Sequence, residues 1–497
     1  MDAKLISAEY ECYDKLYSHK STKEETRDAV VPDTMPDIAE VLCCVGSLLI
    51  RSKDVSDGRV RLEANIPACV IYRSEEGGLN TVNVAVPVFF SLEDEAIKEG
   101  CPASAELKLI KLEARTLNPR KIMVKAEIGI SLEVYSKGVL AVAERIAGDE
   151  PVHCRCEKHS LSLVTSVCEK SFALSDDLSL PPAAEGVQEI IIADTECCAD
   201  DIKTVGSKII VKGRIKSRLI MLTPASELCH LEPITEFSQI IELGGEYPEG
   251  LCSICLLPSG AYCQPESPER DRLSLEYHIV AQVVYRSAVE ISCLDRAYSN
   301  SFDIECEYTR RSVNRCVSLG TVRESSRCLF ESEAKDVLYS FCNAGSAAIN
   351  GEKAVVPLDV RVICSGGDRI WSEKHSTELS FRLPCGGEGL SLNNTEIKDF
   401  ALLPVPGGVE LRLEAAAELS CEEQKELQSI SSVSYDEENP IDNTGKPSLV
   451  LVRIKDGDEL WNLAKENCSS VEAIEAANGI SGLTESVGRL ILIPKTS

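Results

Sequence analysis

Two separated stretches of this chain recur at one fixed distance, which limits what it can fold into. "VPDTMPDIAEVL" (Val31–Leu42) aligns with "LPPAAEGVQEII" (Leu180–Ile191), Pro32 on Pro181, Ile38 on Val187, Glu40 on Glu189 and Val41 on Ile190, an offset of 149 residues. The same offset lays "VRLEANIPACVIY" (Val60–Tyr72) on "IIVKGRIKSRLIM" (Ile209–Met221), matching Val60 to Ile209, Leu62 to Val211, Ile66 to Ile215 and Val70 to Leu219. One offset for two segments indicates duplication of a unit. In the second pair of segments apolar and polar residues alternate with period two, each after a turn signal, "SDG" at Ser56–Gly58 and "VGS" at Val205–Ser207. Successive side chains of a strand point to opposite faces, so the pattern predicts half-buried strands.

The alternation returns in "KIMVKAEIGISLEV" (Lys121–Val134), "RLSLEYHIVAQVVY" (Arg272–Tyr285) and "VELRLEAAAELS" (Val409–Ser420). It also runs through "AVVPLDVRVIC" (Ala354–Cys364) at Val356, Leu358, Val360 and Val362. The glycine pairs Gly77–Gly78, Gly244–Gly245 and Gly407–Gly408 stand between such runs, where access to positive φ permits a tight reversal. The expected fold is therefore mainly β: an N-terminal extension at 1–27, then tandem β-sandwich-like repeat units at 28–148 and 149–300, and a divergent one without the opening Pro motif at 301–434. "YDEENPIDNTGKP" (Tyr435–Pro447) is acidic, has two prolines and no periodic apolar face, which reads as a linker over 435–447. A last small module occupies 448–497.

A chain of 497 residues, 44% of them hydrophobic, can build several cores. Its formal net charge of −28 repels a phosphate backbone or an anionic lipid surface, so neither nucleic acid nor a membrane is an expected partner. No apolar run approaches the roughly 20 residues of a membrane helix, and charge interrupts the N-terminal "MDAKLISAEYECYDKLYSHK", unlike a signal peptide. A cytoplasmic location is expected. The 23 cysteines, an odd number, scatter from Cys12 to Cys468; this reads as reduced thiols, with Cys69 and Cys364 as small apolar core residues. "VHCRCEKH" brings His153, Cys154, Cys156 and His159 together, and "LCSIC" brings Cys252 and Cys255. The first group lacks the paired spacing of a zinc knuckle, the second has no partner pair at finger-like distance, and alternation alone puts Cys154 and Cys156 on one face of a strand. No metal and no cofactor is expected.

In the Pro-Asp stretch, Pro32 and Pro36 fix φ and push Val31 and Met35 into extended geometry. Asp37 can cap a short helical turn that carries Ile38, Val41 and Leu42 inward. The stretch is a rigid structural turn on this reading; the alternative makes Asp33 and Asp37 an exposed docking edge.

Together "AVVPDTMPDIAEVL" (from Ala29), "LNPRKIMVKAEI" (Leu117–Ile128) and "LDRAYS" (Leu294–Ser299) resemble the SPOCS domain family of spore-forming Firmicutes. "VRIKDGDELWNLAKENCSSVEAIEAANGI" (Val452–Ile480) resembles the LysM family. SPOCS domains followed by a C-terminal LysM domain are similar to the arrangement in spore coat morphogenesis proteins. The resemblance implies a mother-cell scaffold at the forespore surface, whose LysM domain docks on the coat basement-layer ATPase, with other coat proteins as further partners.

The residues of the last module read as a βααβ order. "LVLVRI" (Leu449–Ile454) alternates like a strand; Asp458 is placed to cap a helix with Leu460, Leu463 and Ala464 on one face and Trp461 beside them. Ser469 and Glu472 form a capping-box pattern before a second helix, with Val471, Ile474 and Ala477 inward and Gly479 as its stop. "RLILIP" (Arg489–Pro494) supplies the closing strand. In glycan-binding LysM modules the sugar lies between the loop after the first strand and the loop after the second helix. Carried over, these are Asp456, Gly457, Asp458, Glu459 and Leu460, and Gly479, Ile480, Ser481, Gly482 and Leu483. Glu459 replaces the family's small hydroxyl residue, and "DGDEL" puts three carboxylates in the first loop, while "NGISGL" offers no stacking ring. An acidic groove suits a basic protein surface better than a neutral sugar.

No nucleophile-elbow pentapeptide, zincin motif or complete phosphate loop occurs, and "NTGKPS" puts Pro447 where a phosphate loop needs a hydroxyl. The expected function is a non-enzymatic scaffold in spore coat assembly, with no catalytic residue. The alternative is a peptidoglycan-binding cell-wall protein that recognises N-acetylglucosamine glycan; a hydrolase with an unseen acid-base pair is the third reading.

Overall fold

The computed structural model describes residues 4–147, 152–180, 189–222, 228–266, 272–367, 369–483 and 486–496, without the side chains of 437 and 439. The chain is mainly β, with two short helices near its C-terminal end among the described residues.

The strands fall into three successive sets. The first holds β1 (Lys4–Val30), β2 (Ile38–Gly46), β3 (Leu49–Ser56), β4 (Arg59–Ser74), β5 (Leu79–Glu93), β6 (Ala103–Asn118) and β7 (Lys121–Ala147). The second holds β8 (Val152–Ser179), β9 (Glu189–Val205), β10 (Lys208–Leu222), β11 (Leu228–Leu231), β12 (Ile234–Glu242), β13 (Gly250–Pro265) and β14 (Arg272–Ser299). The third holds β15 (Phe302–Phe330), β16 (Asp336–Ala344), β17 (Ala348–Asn350), β18 (Lys353–Gly366), β19 (Arg369–Arg382), β20 (Leu390–Val405) and β21 (Gly408–Pro440).

Each set pairs its strands in the same way. A central strand, β4, β10 or β18, has antiparallel partners on both sides, and an edge lane that is continuous in one set is broken in two in another. A second sheet has the order β1-β7-β6, β8-β14-β13 or β15-β21-β20. The inward residues of both sheets meet in one apolar cluster per set. The predicted alternation accounts for this burial. Val60, Leu62, Ile66 and Val70 and their counterparts Ile209, Val211, Ile215 and Leu219 are all at most 2% exposed, and Val356, Leu358, Val360 and Val362 at most 3%. Pro181 and Val187 of the recurring Pro motif lie outside the described residues.

The three sets also close on one another. Ile71, Ile220 and Ile363, each on the central strand of its set, are at most 1% exposed and share one cluster with Val45, Ala193 and Phe341. Beyond the set cores, the long ribbons β1/β7, β8/β14 and β15/β21 share a second cluster containing Leu140, Ile291 and Leu427. Polar contacts complete the ring. The Gln282 amide bonds both backbone groups of Ala105 at 2.8 and 2.9 Å, Lys216 meets Glu396 at 2.5 Å, and Arg361 meets Glu113 at 2.6 Å.

Several expectations are corrected. The stretch 1–27 is no extension: from Lys4 it belongs to β1, which pairs with β7 along its length. Residues 435–440 of the expected linker continue β21, with Tyr435 opposite Ile304 and Pro440 opposite Phe302. Asp37 caps no helical turn. Pro32 and Met35 close a β-turn by a 2.9 Å backbone hydrogen bond, and Ile38, Val41 and Leu42 lie on β2. The two prolines restrict the loop, but neighbouring β4 offers a ladder that a single helical turn cannot match.

After 441–448 come β22 (Leu449–Arg453), α1 (Leu460–Glu466), α2 (Val471–Asn478) and β23 (Leu490–Pro494), with β22 and β23 antiparallel. Both helix starts shift by one residue from the expected caps. Glu459, not Asp458, precedes α1 and makes no side-chain cap, and Asp458 Oδ2 instead accepts the Lys455 N–H at 2.7 Å inside its own turn. Ser470, not Ser469, caps α2 by accepting from Ala473 N at 3.0 Å, while the Ser469 hydroxyl donates to the Pro494 carbonyl. Ala477 is exposed rather than inward. Gly479 ends α2 as expected, at φ 63°, where a side chain would be strained.

Candidate functional site

The C-terminal module has its own small core. Ile454, Leu460, Trp461, Ala464, Ile474, Ile491 and Ile493 are buried together, with Ile480 and Leu483 packed against them. The two loops singled out from sequence therefore border one core through Leu460 on one side and Ile480 and Leu483 on the other. Within them Asp456, Gly457, Gly479 and Ser481 are exposed. Gly482 N donates to Glu475 Oε1 at 3.0 Å, which ties the second loop back to α2.

Two of the three carboxylates of the first loop, Asp458 and Glu459, are committed inside the chain. Asp458 closes its turn. Glu459 Oε2 faces two guanidinium groups of the second set, Arg296 at 3.4 Å and Arg155 at 3.6 Å. Arg155 is held by Asp295 at 2.8 Å. These arginines were not foreseen as site residues, although Arg296 lies within "LDRAYS".

That motif is the seat of the module. Tyr298, 3% exposed, lies between the rings of His153 and Trp461, each with its centroid 4.8 Å away, the Trp461 contact edge-on. The Tyr298 hydroxyl donates to the Ser469 carbonyl at 2.8 Å. Burial, with the Glu472 carboxylate nearby, raises its pKa and keeps it a donor. Asn300 Nδ2 reaches Thr496 Oγ1 at 3.1 Å, and Asn443 Nδ2 donates to the Asn300 carbonyl at 2.6 Å. Trp461, the only aromatic residue of 448–497, is thus 8% exposed and turned toward the second set. No ring in this module is free to stack on a sugar.

Asp33 and Asp37 stand elsewhere, on a clamp. Arg120 donates to Asp37 Oδ1 at 2.8 Å and Asp33 Oδ1 at 3.1 Å, and to the carbonyls of Met35, Pro32 and Val31 at 2.8, 3.0 and 3.2 Å. The hydrogen bond to Asp37 raises the guanidinium pKa further. A planar fork with five donors suits such a bent strip of acceptors. The Pro-Asp stretch and "LNPRK" are thereby two halves of one structural contact, in which the Asp33 side chain is itself exposed.

A cavity of about 700 Å³ lies where the three sets meet, lined by strands of each, including Leu107, Lys108, Glu196, Ile254, Phe341 and Glu396. Burial raises the Glu196 pKa, aided by Asp194, and burial lowers that of Lys108. The Cys255 thiol on its wall is pushed up to about 12 by burial, so it stays protonated and is a weak nucleophile. Sequence inspection missed this cavity because its walls come from strands as distant along the chain as β2 and β21.

His153, Cys154, Cys156 and His159 all lie on β8, with both cysteines exposed, and His153 is engaged by Tyr298. Among the described residues no three His, Cys, Asp or Glu side chains converge as a metal site, and no helix is long and apolar enough to cross a membrane. No protein-family model, curated protein or solved structure matches the chain.

Proposed function

We propose that this chain is a non-enzymatic scaffold in which three tandem β-sandwich-like units of SPOCS type carry a C-terminal βααβ module of LysM type, and that the module binds protein rather than glycan. The observation that carries the second half is Trp461. A glycan site uses an exposed aromatic platform with neutral donors and acceptors, and the module's one aromatic ring is packed edge-on against Tyr298. Two carboxylates of the first loop are already taken within the chain, Asp458 by the Lys455 N–H and Glu459 by Arg155 and Arg296. The three sets, closed on one another through Ile71, Ile220 and Ile363, form a rigid base suited to holding a binding module at fixed orientation.

By the resemblance of its motifs, the reading is a cytoplasmic mother-cell protein of spore coat assembly, with the coat basement-layer ATPase as the module's partner and other coat proteins on the β units. The test uses the full chain and a variant ending at Pro447. The full chain is expected to retain the purified ATPase and to stay in the supernatant with murein sacculi, and the truncated chain is expected to release the ATPase. Sedimentation of the full chain with sacculi, together with no retention of the ATPase, would establish the glycan reading instead.

A further inference from the structure

The sheet of the C-terminal module has one covered face and one bare face. Val450, Val452, Ile491 and Ile493 point into the module's core. The alternate positions point out: Leu449, Leu451 and Arg453 on β22 lie opposite Pro494, Leu492 and Leu490 on β23. Leu449, Leu451 and Leu490 are 51%, 60% and 59% exposed, and Val487 beside the strand is 53% exposed. Isolated exposed leucines are ordinary, but a contiguous set on one face of a two-stranded sheet is the mark of an interaction surface. The module's contacts with the second set run through Trp461, Ser469 and Thr496, and they leave this face open.

Charge identifies the occupant. Arg453 lies on the face between Leu451 and Leu490, and Lys455 and Arg489 lie at its end; all three are exposed, and their side chains have no carboxylate partner among the described residues. A cationic apolar patch on a chain of net charge −28 is a local reversal of sign. It attracts an acidic protein and orients it, while the rest of the molecule repels an extended polyanion or an anionic bilayer.

We infer that the outer face of the β22/β23 sheet, centred on Leu451, Leu490 and Arg453, is where the module receives its protein partner, an apolar ridge flanked by carboxylates. The inference rests on the protein-binding reading above and moves the contact from the loops, whose Asp458 and Glu459 are already engaged within the chain, to the sheet.

The experiment titrates the full chain with the purified coat ATPase by calorimetry at two salt concentrations. Leu451→Glu is expected to weaken binding at least tenfold, and Arg453→Glu to weaken it and flatten its salt dependence. Leu329→Glu, an equally exposed site on β15, is expected to stay within twofold. Unchanged Trp461 fluorescence, read in a Trp371→Phe background because the chain has two tryptophans, establishes that each variant keeps the module folded. If Leu451→Glu and Arg453→Glu bind like the parent while truncation after Pro447 abolishes binding, the sheet face is wrong and the scaffold reading stands. If truncation leaves binding intact, or the parent chain does not bind, both fall. Sedimentation of the parent chain with phosphatidylserine vesicles, lost in Leu451→Glu, would assign the face to a membrane and overturn the proposal.

Discussion

Replacing Tyr298 with alanine should release the C-terminal module from the second strand set. The ring is 3% exposed, lies tilted against His153, meets Trp461 edge-on at 4.8 Å, and its hydroxyl donates to the Ser469 carbonyl. Removing a buried aromatic side chain costs about 3–5 kcal/mol. The Ser469 carbonyl keeps a 3.3 Å hydrogen bond from Asn300 Nδ2, so no orphaned acceptor adds to that figure. The partly exposed Glu459 pairs with Arg155 and Arg296 contribute little, below about 1 kcal/mol each. A loss of about 3 kcal/mol moves the docking equilibrium by roughly two decades, at 1.4 kcal/mol per decade. Tyr298→Phe keeps the ring and is expected to cost about 1 kcal/mol or less. The assay is Trp461 emission in a Trp371→Phe background, since these are the chain's two tryptophans. Emission should shift to the red in Tyr298→Ala and stay in place in Tyr298→Phe, with protease cleavage at 441–448 rising in parallel. An unshifted spectrum and unchanged cleavage in Tyr298→Ala would refute the docking argument.

Two further outcomes follow from the packing. A Cβ on Gly213 would lie 2.2 Å from the Cys198 carbonyl and 2.7 Å from the Phe237 ring, so Gly213→Ala should destabilise the second set by about 1–3 kcal/mol. Gly445→Ala, with open space around it, should change stability by less than about 0.5 kcal/mol; thermal unfolding of the two variants checks both. Between the first and third sets, burial opposes ionisation of Glu113, but hydrogen bonds from Lys374, Arg361 and Lys111 hold its pKa down at about 2. A depressed carboxyl pKa gives stability that is complete above the unfolded value near 4.5 and is lost as pH falls toward about 2. Acid unfolding between those limits should therefore be shallower in Glu113→Gln than in the parent; identical slopes would remove Glu113 from the contact.

What the sequence determined by itself is local and periodic. Val60, Leu62 and Ile66, and Ile209, Val211 and Ile215, could be placed on the inward face of strands because side chains alternate along an extended chain wherever it lies. Gly479 could be placed at a helix end because few other residues accept positive φ. Tertiary structure decided everything that depends on a distant neighbour. Composition misleads at residues 1–27, since β1 is held by backbone hydrogen bonds to β7, and such bonds leave little mark on side-chain type. Nothing in the order of the chain joined Arg120 to Asp33 and Asp37, and Glu459 read as part of an acidic groove until the module settled beside Arg155 and Arg296. Charge and hydrogen-bond partners act over a few ångströms of space, and the sequence records only the order of the chain.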